Sequence, residues 1–428
     1  CNLWLSKHIS ASIGSDFSIK AYYNTLTQPY TYHLNNNSSS IIAATTSYIG
    51  TTIATINLIL MFMTSVIISL FMFIILFKIN YLITITAIFT FGLAYIILGF
   101  TAKRKLLSNS KLLSRKSILH IQSTQEGLGL IKDIILSSSQ KKYLNDFSLN
   151  DRSLRKVQAE SSFLAAFPKL ALEAIGLILI VVLAFSLSQL ASNTNPEVVI
   201  SSLGAFALGS QKLLPAFQAM YAAWAGIKAS THPVLHLLSF LNSHENSEEY
   251  NKYINKTYSQ YYIIDTNTIE FKNCFFSYDN QKYNLSEINF LINKGDSIGI
   301  IGSTGSGKST FINLLMGLLK PSKGKVIINN VDIYNYNTNY LKNWTSSIAY
   351  VPQEIYLTDK TIAENIAINE DYSEINFNKV LECCRIAQLD SFIQGLSFRY
   401  DHIVGEKGIK FSGGQEQVEG TLQKYFKG

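Results

Sequence analysis

The chain has 428 residues and a mild net charge of +7, with 47% of its residues hydrophobic and only 15% charged. The charged fraction is well below the roughly 25% of an ordinary soluble domain, and a disordered chain would show the opposite balance, so disorder is excluded. Four cysteines in a chain of this length also exclude a small disulfide scaffold, and the composition as a whole predicts a membrane protein with a soluble part attached.

Two uncharged runs follow one another in the first quarter of the chain. Residues 51–77 carry no charge, and residues 81–102 form a second uncharged run that ends at Lys103-Arg104-Lys105. A transmembrane helix needs about 20 apolar residues, and basic clusters mark cytoplasmic ends. The sequence therefore predicts a hairpin of two membrane spans, followed over 103–160 by long cytoplasmic helical extensions.

A second pair of apolar stretches covers 163–190 and about 198–226, joined by a turn-like segment at 191–196. Buried helices of a soluble protein could also be apolar all round, but not four times at this length. We therefore predict four spans in two hairpins whose turns face outward. Ionisable groups in such spans are often functional, so Glu173 either lines a substrate path or pairs with Lys169.

Short β-like runs follow a polar connector at 228–268. They lie at 269–278, 288–292, 297–302, 326–333 and 347–353, with a helical stretch from Ser309 between the third and the fourth. Strand, Gly-rich loop, helix and strand in this order are typical of an α/β nucleotide-binding domain.

The Gly-rich loop matches G-x-x-x-x-G-K-[ST] between the apolar run 298–301 and a helix. Its glycines let the backbone wrap round phosphate oxygens, and the N–H groups at the helix start face the anion. Lys308 supplies a charge to the β/γ-phosphates and Ser309 offers its hydroxyl to Mg²⁺. A chance Gly-rich turn does not come with a strand and a helix in place. The predicted phosphate-binding residues are Gly302, Ser303, Thr304, Gly305, Ser306, Gly307, Lys308, Ser309 and Thr310.

Two further motifs follow the loop: Val351-Pro352-Gln353-Glu354 and Phe411-Ser412-Gly413-Gly414-Gln415. In this order and spacing the sequence resembles the ATP-binding cassette (ABC) transporters, with a Q-loop at Gln353 and a signature motif at 411–415. Phe411 stands where the family usually has Leu. A membrane part ahead of the cassette resembles the exporter-type half-transporters, and the segment around residues 12–39 is similar to bacterial lipid-linked oligosaccharide flippases.

The resemblance implies ATP and Mg²⁺ as cofactors and a site shared by two cassettes. Lys308 and Gln353 would be catalytic, and Ser309 and Gln353 would hold the metal ion. Tyr278 matches the aromatic residue that stacks on adenine. The signature of one cassette would contact the nucleotide of the other through Ser412, Gly413, Gly414 and Gln415.

The resemblance also implies a fold and its boundaries. We expect an incomplete exporter-type membrane α-helical bundle at 1–227, a linker at 228–268 and a C-terminally incomplete α/β P-loop cassette domain at 269–428. Such half-transporters have six spans. Residues 21–38 resemble the first intracellular loop with its coupling helix, and the second loop would fall within about 125–150. On that alignment the first span and most of the second are expected to be missing from the given sequence.

Both ends of the chain are expected to be cut. The chain opens at Cys1 without a signal peptide. The family continues after the signature with a strand that ends in Asp-Glu and with a switch histidine, and the thirteen residues after Gln415 do not supply them. The chain as given is therefore expected to bind ATP weakly and to hydrolyse it poorly or not at all.

The leading hypothesis is an ATP-driven exporter or flippase half-transporter that moves a lipid-linked or amphipathic substrate. It would work as a dimer with a second copy, contact membrane lipids, bind no nucleic acid, and lie in a bacterial inner membrane with the cassette in the cytoplasm. The alternative is a hydrolysis-deficient, membrane-anchored ATP-binding fragment. A soluble phosphoryl-transfer enzyme is a third hypothesis, and the four predicted spans argue against it.

Overall fold

The computed structural model describes residues 2–79, 81–190, 196–242, 262–279, 282–334, 338–353, 356–368 and 370–405. The chain divides into two compact units, residues 1–257 and residues 258–428. The first unit is helical, and the second combines helices with a β-sheet.

The helical unit contains four described helices longer than 30 residues. Its described helices are α1 (Asn2–Thr27), α2 (Tyr30–Asn35), α3 (Ser38–Thr45), α4 (Ser47–Ile79), α5 (Tyr81–Gly129), α6 (Ile131–Leu136), α7 (Gln140–Leu190), α8 (Pro196–Ala229) and α9 (Thr231–Asn242). The four predicted spans fall within α4, α5, α7 and α8. The polar stretch 103–160 is helical over most of its length, as the predicted extensions require.

Two described segments, 38–78 and 84–129, are long and apolar enough to cross a membrane. Their surfaces fit that role, because large apolar side chains point outward: Phe71 is 64% exposed and Phe100 is 75% exposed. A soluble protein rarely presents such a continuous apolar surface to water. In a bilayer the same surface faces lipid chains, and the helices satisfy their own backbone hydrogen bonds.

The helices pack around two apolar clusters on α8 and one on α9. Phe217 of α8 packs with Leu76 and Phe91, and its neighbour Tyr221 packs with Leu106. At the other end of the unit, Leu237 of α9 is buried in a cluster that includes residues of α1, α3 and α4. Residues 231–242, which the sequence places in the connector, therefore form a helix that is part of the helical unit.

A long-range hydrogen bond ties α1 to the end of α9. The Nδ2 atom of Asn24 donates to the carbonyl oxygens of Phe240 and Leu241, at 3.3 and 2.9 Å. The last carbonyl groups of a helix have no partner within the helix, so this buried amide side chain caps α9 from a helix more than 200 residues earlier in the chain.

The second unit contains an antiparallel sheet of order β2-β1-β3-β4 among the described residues. The strands are β1 (Thr268–Phe276), β2 (Leu285–Asn293), β3 (Lys323–Ile328) and β4 (Val331–Asp332). The helices are α10 (Lys308–Leu315), α11 (Thr338–Ser346), α12 (Ile362–Ile366), α13 (Phe377–Ile386) and α14 (Asp390–Gln394). The core between the sheet and α10 is built on Phe271, Leu314 and Ile328, each at most 1% exposed.

The structure differs from the predicted strands in two places. The run 326–333 is a hairpin rather than one strand, because Asn329 and Asn330 have φ angles of +46° and +66° and turn the chain between β3 and β4. The runs 298–301 and 347–350 are not strands among the described residues. A strand needs ladder hydrogen bonds from a neighbour, and Ile301 next to the Gly-rich loop is instead 95% exposed.

Candidate functional site

The Gly-rich loop has the geometry of a phosphate cradle. Gly305 and Gly307 have φ angles of +83° and +93°, in the region that side-chain-bearing residues rarely adopt. A Cβ atom on Gly307 would lie 2.8 Å from Cδ2 of Leu285 and 3.2 Å from the carbonyl oxygen of Asn284. Only glycine therefore fits at Gly307, where the loop presses against the start of β2.

Helix α10 begins at Lys308, directly after the loop. The N–H groups of its first turn have no acceptor within the helix and carry the positive end of the helix dipole. The ammonium group of Lys308 donates to the carbonyl oxygens of Gly302 and Ser303, at 2.7 and 2.8 Å. These bonds hold the side chain over the loop, and an ammonium group has a third N–H to give to an anion. The loop therefore combines backbone donors and a cation at one point.

Tyr278 lies beside α10, although it precedes the first loop residue, Gly302, by 24 positions. Its hydroxyl is 3.3 Å from Oγ1 of Thr310, and its ring packs edge-on against Phe276 with 4.8 Å between ring centroids. The backbone N–H of Tyr278 donates to Oδ1 of Asn284. The residue stays 47% exposed, so part of this aromatic side chain is open to solvent next to the phosphate loop.

The structure describes the predicted Q-loop residue Gln353 but not the predicted signature residues. The side chain of Gln353 is exposed, and the two residues after it lie outside the described ranges. The signature residues Ser412, Gly413, Gly414 and Gln415 also lie outside the described residues. The structure thus brings Tyr278 to the phosphate loop and gives no position for the signature.

The residues that could hold a metal ion are oxygen donors of the loop rather than a dedicated cage. Across the described residues there is no group of three or more His, Cys, Asp or Glu side chains placed to hold a metal ion. Mg²⁺ does not need one, since it is usually bound by one or two protein oxygens together with phosphates and water. The exposed hydroxyl of Ser309, next to Lys308 in the first turn of α10, fits that mode.

The helical unit contains an aromatic cavity of about 360 Å³ at the charged end of the α5 span. It is lined mainly by apolar and aromatic side chains, including Phe62, Tyr95, Tyr221 and Trp224, with Lys103 as its charged residue. Tyr95, Tyr221 and Trp224 form a ladder of rings with centroid spacings of 5.7 and 5.6 Å. The cavity can therefore accept an apolar chain beside a positive charge.

Comparisons with known proteins bear on the second unit most directly. Residues 285–420 match the sequence profile of the family described as ABC transporter. This segment of the chain belongs to the ABC transporter family. The ABC segment contains the phosphate loop, Gln353 and the predicted signature residues, and it begins seven residues after Tyr278.

Individual relatives are named as an ABC transporter protein and as a flippase. A putative ABC transporter ATP-binding protein of Streptococcus pneumoniae is 38% identical over 155 residues, 36% of this chain and 26% of that protein. An ATP-dependent lipid A-core flippase of Coxiella burnetii is 37% identical over 160 residues, 37% of this chain and 26% of that protein. The aligned part thus spans about a quarter of the length of these curated relatives.

A solved structure extends the likeness to the helical unit. A bacterial Atm1-family ABC exporter with ATP bound has a TM-score of 0.83 to this chain at 17% identity, over 98% of this chain and 72% of the other. At this identity the likeness concerns the fold. The predicted class, exporter-type membrane helices followed by an α/β cassette, is confirmed.

Two residues, one just ahead of the ABC segment and one within it, have structural roles that the sequence did not predict. The side chain of Asn284 accepts from the backbone N–H of Tyr278, and its carbonyl oxygen lies against Gly307 of the phosphate loop. Nothing in the local sequence of Asn284 indicates these contacts. Asn365 is fully buried and bonds Thr358 and Thr361, which orders the segment that follows Gln353. The Thr361-x-x-Glu364 spacing of a capping box was a readable signal for this second feature.

Proposed function

We propose that the chain is part of an ATP-driven ABC exporter or flippase half-transporter that moves an amphipathic or lipid-linked substrate and works as a dimer. The observation that carries this proposal is the phosphate loop with Lys308 held over it at the start of α10. The proposal places the helical unit in a bacterial inner membrane and the cassette in the cytoplasm.

In this proposal different residues of the cassette bind different parts of the nucleotide. The loop 302–310 holds the phosphates through backbone N–H groups and Lys308, and Ser309 and Gln353 hold Mg²⁺, which neutralises charge on the phosphates. Tyr278 stacks on the adenine ring, for which its partly exposed position beside α10 is suited. The signature residues 411–415 act on the nucleotide of the second cassette, so that ATP draws two copies together.

The aromatic cavity supports an amphipathic substrate. An apolar chain gains free energy by leaving water for a cavity lined by rings, and Lys103 offers its charge to an anionic head group. A relative named as a lipid A-core flippase is consistent with a substrate that has both parts.

The proposal predicts that ATP binding depends on Lys308. The full chain in lipid nanodiscs is titrated with Mg-ATP, and a Lys308→Ala variant should bind at least about tenfold more weakly, because a charge-assisted hydrogen bond is worth about 1.5–3 kcal/mol. Lys294→Ala removes one exposed lysine of the same unit, paired with Asp265, and should leave the affinity unchanged. Equal affinities in the wild type and the Lys308→Ala variant would refute the proposal.

A further inference from the structure

A second cleft of the helical unit, between α5 and α9, collects polar side chains that the transport proposal does not use. Its volume is about 440 Å³. Its polar lining consists of Lys111, Ser114, Arg115, His232, His236 and Ser239. No carboxylate is among the residues that line it, so its wall carries two permanent positive charges and no negative one.

The two cations repel each other. Lys111 and Arg115 are four residues apart on α5 and therefore share a face of the helix, where like charges are destabilising. Neither takes part in an ion pair found between described residues. An anion between them would turn this repulsion into attraction for both side chains.

The two helices that form the cleft are held in place by hydrogen bonds and ring packing. The hydroxyl of Tyr48, a residue only 1% exposed, lies 2.8 Å from Oγ of Ser114. The Tyr48 ring also packs edge-on against His236, with 5.4 Å between centroids. The backbone N–H of His232 donates to Oγ of Ser110 at 2.8 Å. Side chains that are already ordered lose little conformational entropy when a ligand binds.

His236 has hydrogen-bonding capacity left over. Its Nδ1 atom is buried and has no hydrogen-bond partner among the described residues. Burial lowers the pKa of His236 from its ordinary value, so the ring is neutral at pH 7 and carries one N–H. Buried polar atoms without a partner are rare in proteins. In the tautomer with its proton on Nδ1, this imidazole can donate to a ligand oxygen in the cleft.

The position of the cleft along α5 favours a soluble ligand over a lipid head group. Lys111 and Arg115 lie nine and thirteen residues beyond Ala102, the last residue of the uncharged run, which is about 14 and 20 Å along an α-helix. The head-group layer on one side of a bilayer is only about 5–8 Å thick. The cleft therefore lies beyond that layer.

We propose that this cleft binds a soluble small molecule that carries a phosphate group. Arg115 and Lys111 supply charged donors, Ser114 and Ser239 supply hydroxyls, and the two imidazoles supply N–H groups, which together match a tetrahedral oxyanion. The volume falls in the range of about 300–1,000 Å³ that is usual for small-molecule sites. The inference does not depend on what the chain transports.

The test is calorimetric titration of the full chain with pyrophosphate. A Lys308→Ala background silences the phosphate loop, and the chain is placed in nanodiscs of phosphatidylcholine at fixed ionic strength. We expect saturable binding that weakens at least about tenfold in a Lys111→Ala/Arg115→Ala variant, because two charge-assisted hydrogen bonds are lost. Arg152→Ala/Lys156→Ala is the matched control, since it removes another exposed basic pair with the same four-residue spacing from α7, and its affinity should not change.

Three results would overturn the proposal. The first is absence of saturable binding in the Lys308→Ala background. The second is equal weakening of pyrophosphate binding in both double variants, which would show that binding depends on the total positive charge of the protein and not on this cleft. The third comes from nanodiscs that also contain phosphatidylglycerol: loss of pyrophosphate binding there would show that a lipid head group occupies the cleft. Thermal unfolding of each double variant establishes that weakened binding does not come from loss of the fold.

Discussion

Gly307 is the residue of the phosphate loop with the least freedom to change, because it combines a positive φ angle with a wall of neighbouring atoms. The spacing of the loop glycines could be read from the sequence, since close backbone approach to phosphate requires them. The contact with Asn284 and Leu285 could not, because it depends on how a turn more than twenty residues earlier folds back. Sequence patterns predict local conformational requirements, but they do not predict contacts between segments that are distant along the chain.

We predict that Gly307→Ala destabilises the second unit and abolishes tight ATP binding. A side chain in a left-handed conformation costs about 1–3 kcal/mol, and the clash with Leu285 adds to that cost. Gly299→Ala is the control, since a Cβ atom there meets nothing within 4 Å. Thermal unfolding and Mg-ATP titration of both variants measure the effect. An unchanged melting temperature for Gly307→Ala would mean that the loop can relax away from β2.

At the scale of elements, helix α12 shows how a short helix can be fixed by its first turn. The side chain of Thr361 accepts from the N–H of Glu364, and the carboxylate of Glu364 accepts from the N–H of Thr361, which completes a capping box. Asn365 of the same helix orders the chain that follows Gln353 through its bonds to Thr358 and Thr361. Of the longer elements, the apolar helices and the first two strands follow from composition and alternation. The runs 298–301 and 347–350 read as strands from the same pattern, but a strand exists only with a partner.

The capping box predicts a pH dependence of stability. The N–H and hydroxyl of Thr361 donate to Glu364 and hold the pKa of its carboxyl below the ordinary value of 4.5. The stabilisation is therefore complete above the unfolded pKa and is lost as the pH falls through the folded pKa. We expect the stability lost in Glu364→Gln to shrink as the pH is lowered from 6 towards and below about 4, measured by denaturant unfolding. Glu374→Gln controls for the removal of one carboxylate, and a loss that stays constant across this range would contradict the prediction.

At the scale of the whole molecule, the two units bring different chemistry. The sequence predicted both units, because apolar runs of more than 20 residues and a phosphate-loop motif are easily recognised patterns. The aromatic cavity and the polar cleft of the helical unit were not foreseen, since each joins side chains from helices that are distant in the sequence. His232 and His236 share a helix face at a spacing of four residues, and the cations that complete their cleft are on α5, more than a hundred residues away.

The aromatic cavity predicts selective quenching of tryptophan fluorescence. An anionic amphiphile with a brominated acyl chain should quench Trp224, and the quenched component should disappear in Trp224→Phe. Lys103→Ala should weaken the anionic amphiphile several-fold and leave a zwitterionic one unaffected, because only the anionic head group uses the charge. Arg104→Ala, next in sequence and not part of the cavity lining, controls for charge at the membrane surface. Equal effects of the two substitutions would assign the binding to the surface.

The hydrogen bonds from Asn24 to the end of α9 also set an order of events during synthesis. The two partners are separated by 217 positions, and a ribosome adds roughly 5–20 residues per second. Helix α1 therefore waits on the order of 10–40 s for the helix that covers it. During that interval the face of α1 around Ala21, fully buried in the finished unit, has no cover from α9. Nascent chains at this stage are the ones for which chaperones and insertion factors matter most, and a substitution at Asn24 should show itself first as a lower yield of folded protein.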